Sequence, residues 1–240
     1  MAAKPKQKLQ VGCCGFALAQ STYFRTFSCV EIDSSFYQLP RLETVERWRA
    51  DTPDGFQFAM KAWQVITHPP ASPTYKRTRI EPNDLEHAGH FGFNPTIRWA
   101  WDETYKVAKA LGVFFVLFQC PASFRQNKEN IASLKSFFER AKRGKFQIGW
   151  EPRGEWETGQ IASLCKELDL IHVVDPLRAS PAHPCKLNYY RLHGTTGPQH
   201  RFTNAELTKL QGLATGKNSA YYMFNNVTMA TDAQRFMKLL

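Results

Sequence analysis

Charged and imidazole side chains recur at every second residue where the apolar runs of this chain end. Glu31, Asp33 and Ser35 share one parity of the run 29–36, and Gln57, Ala59, Lys61 and Trp63 share one parity of 56–63. Gly149, Glu151 and Arg153 do the same in 146–153, as do Tyr189, Arg191 and His193 in 187–194. Three further runs end in Gln119, in Asp175 and in the pair Asn225 and Asn226. In an extended segment, residues of one parity face one side. Lys61, Arg153 and Arg191 are then candidates for a cationic clamp, because guanidinium forks match carboxylates and phosphates. Glu151 and Asp175 are candidates for general base or acid, and His193 and His68 for proton carriers. Gln119, Asn225, Asn226 and Asp33 are candidate polar contacts to a substrate. Ion pairing offers a second account of the same residues: Glu31 or Glu151 could brace Arg153, Arg191 or Lys61, and an Asn in a turn often serves only the turn.

The elements that must carry these groups alternate. Eight strand-like runs (9–15, 29–36, 56–63, 113–120, 146–153, 171–176, 187–194 and 220–226) are interleaved with helical periods at 44–51, 102–111, 128–143, 160–168, 204–213 and 231–240. The period is clearest after Asn127, where Ile131, Leu134, Phe137 and Phe138 share a face between an Asn N-cap and a Gly144 stop. Thr203 and Glu206 have the spacing of a capping box. Alternation of this kind implies parallel pairing with right-handed crossovers, and eight units in 240 residues fit one α/β (β/α)8 barrel. An open doubly wound sheet is the other option, but residues 12–15, Gly-Cys-Cys-Gly, lack the G-x-G-x-x-G spacing of its phosphate turn. In a barrel the alternate positions Val30, Ile32, Phe58, Met60, Ile148, Trp150, Tyr190 and Leu192 would pack outward under the helices. The charged set would meet at the C-terminal mouth, where such barrels keep their active sites. We expect a basic tail at 1–8, one domain at 9–240, and a long loop after the third strand, 67–101.

Composition narrows the classes. Hydrophobic residues at 43% and charged residues at 22% are ordinary for a globular chain, which argues against disorder and fibrous repeats. No apolar stretch approaches the ~20 residues of a membrane span, and residues 1–10 lack a signal core. A cytoplasmic protein without membrane contact is the expectation. Lys+Arg 31 against Asp+Glu 21 gives +10, and residues 101–150 hold nine basic and four acidic side chains. That surplus favours an anionic partner, a small molecule or a nucleic acid. Trp63, Tyr75, Phe91, Phe93, Trp99 and Trp101, interleaved with Lys76, Arg77, Arg79 and Arg98, would either stack nucleobases or cover the mouth. Six cysteines without C-x-x-C read as buried thiols; Cys13, Cys14 and Cys120 lie near strand ends, where a nucleophile is the other option. Glu151, Asp175, His193 and His68 are of metal-ligand type, but no H-x-H or H-x-x-x-H spacing gathers them, so no metal is expected and no cofactor is named.

These motifs resemble the YecE-like family, (β/α)8 barrels classed as a domain of unknown function. The resemblance rests on Glu31-Ile32-Asp33-Ser34-Ser35-Phe36-Tyr37 with Pro40, on 56–61 with Thr67-His68, and on 118–124. Tyr190-Arg191-Leu192-His193-Gly194 and Phe224-Asn225-Asn226 complete it, and it spans residues 11–240. Family members commonly carry Asn-Ser-Thr where this chain has Asp33-Ser34-Ser35, and a histidine where it has Gly154. Those departures resemble a compact, archaeal-type branch. The resemblance implies the fold and leaves the reaction open. Three functions are compatible with the residues: a hydrolase or lyase acting on a phosphate-bearing substrate, a non-catalytic nucleic-acid binding module, and a metal-dependent sugar isomerase or epimerase.

Overall fold

The computed structural model describes residues 9–78, 80, 85–214 and 218–240; the basic tail at 1–8 and Arg79 lie outside them. Eight strands run parallel: β1 Leu9–Cys14, β2 Cys29–Ile32, β3 Gln57–Lys61, β4 Phe115–Gln119, β5 Gln147–Glu151, β6 Ile171–His172, β7 Leu187–Leu192 and β8 Ser219–Phe224. Each pairs with its sequence neighbour, and β8 pairs with β1. The remaining seam, between β6 and β7, is closed by one bridge between Val174 and Tyr190, with Arg191 N donating to Val174 O at 3.0 Å. The fold is therefore the (β/α)8 barrel that alternation predicts.

Seven helices clothe it among the described residues: α1 Gln20–Thr26, α2 Leu42–Ala50, α3 Pro95–Leu111, α4 Lys128–Arg140, α5 Thr158–Glu167, α6 Asn204–Ala214 and α7 Met229–Met237. No helix stands between β6 and β7. α1 escapes the sequence reading because it has only seven residues, of which just Tyr23 and Phe24 are buried. α3 begins seven residues before the predicted position. Asn94 caps it by accepting from Ile97 N at 3.0 Å, and Pro95 supplies the fixed φ that suits a first helical residue. The loop after β3 is shorter in consequence, and it contains the 3-10 turns Gln64–Ile66 and Pro73–Arg77. α4 has the Asn127 cap but ends at Arg140, before Gly144. The Thr203–Glu206 capping box forms as read, each residue accepting the other's backbone N–H.

Inward and outward parity hold. Val30, Ile32, Phe58, Met60, Ile148, Trp150, Tyr190 and Leu192 all lie in the outer core beneath the helices. Inside the barrel, Phe115 stacks on Tyr189 at 4.0 Å and Phe114 on Tyr221 at 4.3 Å, which plugs the lower part. Gly149 has no side chain because a Cβ there would strike the Phe115 ring. Above this plug the interior turns polar.

Candidate active site

Glu31 sits immediately above the aromatic plug, fully buried, and accepts from Tyr189 Oη at 2.9 Å. Over it lies Arg191, 1% exposed, whose guanidinium is held by three carboxylates. Its Nε donates to Glu31 at 3.0 Å, Nη1 to Glu151 at 2.9 Å and Nη2 to Asp33 at 2.8 Å. A lone buried carboxylate would cost several kcal/mol, so acids on β2 and β5 and a guanidinium on β7 are stable there only together. Burial pushes the carboxyl of Glu151 up, but Arg191 and Arg153 outweigh it and hold its pKa at about 2. Asp33 is likewise kept low against burial by Lys61 and Arg191.

Lys61 completes the β2–β4 side of the mouth. Its Nζ donates to Gln119 Oε1 at 2.7 Å, lies 3.4 Å from Asp33 and sits 3.9 Å from the centre of the Phe36 ring. Burial lowers its pKa and Asp33 opposes the shift. His68 packs edge-on against Phe36, and its Nδ1 meets Thr67 Oγ1 at 2.8 Å. Burial, with Lys61 and His90 nearby, lowers its pKa to about 3, so this imidazole is neutral at pH 7 and does not act as an imidazolium acid.

The β5–β7 side is open. A cavity of about 330 Å³ lies over the β6 seam, lined by Glu151, Arg153, His172, Asp175, Arg178 and His193 together with Thr158 and Ser180. Arg153, with its side chain 40% exposed, reaches back to Glu151 Oε1 at 2.5 Å and to His193 Nε2 at 3.4 Å. The Nδ1 of His193 faces the Arg191 carbonyl at 3.2 Å, and its Nε2 meets Asn225 Nδ2 at 3.1 Å. A carbonyl accepts and an amide nitrogen donates, so the proton resides on Nδ1 and Nε2 carries the lone pair. Burial and the Arg191 charge lower the pKa of His193 to about 4. His172, on β6 and also lining the cavity, accepts from Ala182 N at 3.0 Å through Nδ1, which places its proton on Nε2. Burial lowers its pKa to about 4 as well.

The structure thus gathers Asp33, Lys61, Gln119, Glu151, Arg153, Arg191, His193 and Asn225 at one mouth and reassigns several. Arg191 is committed to three carboxylates, which leaves it no free face for a substrate anion. Glu151, ionised and held by two guanidinium groups, is too weak a base to lead proton transfer and instead positions Arg153. Asp175 is a strut: one oxygen accepts from Leu177 N, the other from His193 N and Gly194 N. Asn226 turns away from the mouth, donating to His200 O and Asp232 Oδ2 at 2.8 Å each. Cys13, Cys14 and Cys120 are buried, with burial raising all three thiols, so they pack rather than attack. Among the described residues no group of three or more His, Cys, Asp or Glu stands close enough to hold a metal ion.

His172, Thr158, Arg178 and Ser180 are cavity residues that the sequence pattern does not single out. For His172 a signal exists, an imidazole within the short apolar run at 171–176; Arg178 and Ser180 lie in irregular chain without periodicity.

Comparison with known proteins agrees with this architecture. The family model described as "Protein of unknown function DUF72" matches residues 18–240. The UPF0759 protein YunF of Bacillus subtilis is 33% identical over 113 residues, which are 47% of this chain and 35% of that protein. The UPF0759 protein YecE of Escherichia coli is 46% identical over 46 residues, 19% of this chain and 17% of that protein. The aligned stretches thus span about a third or less of those relatives' lengths. A DUF72 family protein of Enterococcus faecalis superposes with a TM-score of 0.72 at 19% identity over 97% of both chains. D-psicose 3-epimerase of Clostridium cellulolyticum does so at 0.59 and 9% identity, over 95% of this chain and 97% of its own. These structural likenesses speak to the fold.

Proposed function

This chain belongs to the DUF72 family, and from that premise and the geometry of its mouth we propose that it is an enzyme acting on an anionic, phosphate-bearing small molecule. The observation that carries the reading is Arg153: a half-exposed guanidinium on the wall of the cavity, tethered on one side by Glu151 and on the other by the lone pair of His193. A phosphate entering the cavity competes for this guanidinium with charge-assisted hydrogen bonds. Thr158 opens α5 at the cavity wall, where the first amides of a helix favour an anion.

Proton transfer follows from the same contacts. When Arg153 turns to the ligand, His193 Nε2 loses one of its two donors and its lone pair becomes available as the base. His172 Nε2–H, on the lining of the same cavity, is the hydrogen-bond donor to charge developing on oxygen. Arg191 and Glu31 form the fixed base of the site. The reaction class supported is proton-transfer-assisted cleavage or elimination, of hydrolase or lyase type.

Titration calorimetry with inorganic phosphate and with a sugar phosphate tests the reading. Saturable binding is expected, weakened at least tenfold in Arg153→Ala while the fold is retained. Absence of binding by the unaltered protein, or binding that survives Arg153→Ala, overturns it.

A further inference from the structure

A second recess lies on the same rim, away from the mouth. The chain leaves Asp33 through the 3-10 turn Asp33–Phe36 and continues over the rim to Arg41 before α2 begins. This segment walls two adjoining clefts of about 640 and 280 Å³ that share Gln38, Leu39, Pro40 and Arg41. Arg77 lines the first, and Trp63 and Trp99 line the second. The two indoles lie 5.0 Å apart, and Trp63 Nε1 is anchored on Tyr37 O at 3.4 Å. Trp63 is buried, so the outer ring is Trp99, 41% exposed. A tryptophan fixed by a buried indole and left open to solvent is a stacking surface.

Most of the charges beside it are cationic. Arg41, Lys76, Arg77 and Arg98 are exposed, and neither Arg41 nor Arg77 forms an ion pair among the described residues. Arg77 rests 5.3 Å from the centre of the Tyr37 ring, which orients its guanidinium. The acid in the cleft, Glu103, is paired with Lys106 at 2.5 Å. Most of the other aromatic residues of this region are committed to packing: Phe91 and Trp101 are buried in the core. Trp99 is not part of that core.

We propose that this cleft binds single-stranded nucleic acid, one base stacking on Trp99 and flanking phosphates meeting Arg41 and Arg77. An open recess running along the rim suits a strand better than an enclosed small molecule. Stacking gives affinity without a choice of base, and guanidinium pairing with phosphate makes it dependent on salt.

The test is fluorescence anisotropy of a short dye-labelled oligothymidylate titrated with the full chain at low and moderate salt. Saturable binding is expected. Trp99→Ala should weaken binding on the order of tenfold, and Trp99→Phe should restore most of it. Arg41→Ala with Arg77→Ala should lower the slope of log affinity against log salt by about 0.7 for each phosphate no longer neutralised. No binding at low salt overturns the proposal, as does affinity indifferent to Trp99→Ala. Thymidine monophosphate binding as tightly as the oligonucleotide also overturns it, since a strand would then contribute nothing.

Discussion

The two halves of the barrel mouth are built from the same side-chain types and behave in opposite ways. On the β2–β4 half, Lys61, Asp33 and Gln119 satisfy one another beneath Phe36, and the lysine is 3% exposed. On the β5–β7 half, Arg153 and His193 have partners too, but they stand on the wall of a cavity. Arg191 lies between the halves and is shared by acids from both. The contrast shows that charge at a strand end does not by itself mark a ligand site. What separates the halves is whether the partners fill the space above the charge. The β6 strand of only two residues, with no helix before β7, leaves that space empty on one side.

The strongest way to break this contrast is to remove its shared centre. Arg191→Met leaves Glu31 buried without a cation and takes one of two cations from Asp33 and from Glu151, and we expect a loss of ~3–5 kcal/mol in chemical denaturation, the usual cost of unpairing a buried charge. A smaller loss would mean that the acids find solvent or protons more easily than their burial implies. Next comes Lys61→Met on the sealed half. It leaves Gln119 Oε1 without its donor, and ~1–3 kcal/mol is expected, with phosphate binding in the cavity unchanged. If binding falls with stability, the halves are one site.

Arg153→Ala should do the reverse. Arg153 is 40% exposed and Glu151 keeps its bond to Arg191, so the loss should be about 1 kcal/mol and the denaturation midpoint should move little while phosphate binding weakens at least tenfold. The smallest signal near neutrality is the response to acid. The pKa of His193 falls from 6.5 in the unfolded chain to about 4 in the folded one, so the unfolded chain takes up its proton first. Its contribution is complete above pH 6.5 and is lost as pH falls toward 4. Proton NMR should show His193 still neutral at pH 6; a titration near 6.5 would place it in solvent.

Much of this architecture is legible in the chain. Period-two alternation identifies the inward residues Glu31, Lys61, Glu151 and Arg191, because a parallel strand in a barrel must bury one parity under its helices and direct the other inward. Alternation cannot say which inward group partners which. That is why Asp175 reads as an acid or base and Asn226 as a substrate contact although backbone amides and α7 claim them, and why Arg191 reads as a clamp. Arg178 and Ser180 are out of reach because they line the cavity from irregular chain, where no periodicity gives a direction. The start of α3 is read late although Asn94-Pro95 carries a cap and a first-turn proline, since the helical period becomes visible only beyond it.

The single rung between Val174 and Tyr190 has one more implication. A cylinder fastened by one bridge at its last joint yields there first, and the proposed ligand would sit across that joint, touching Arg153 beyond β5 and His193 beyond β7. Occupancy would then act as a staple, so that the part of the wall least secured when empty becomes the part most stiffened when filled.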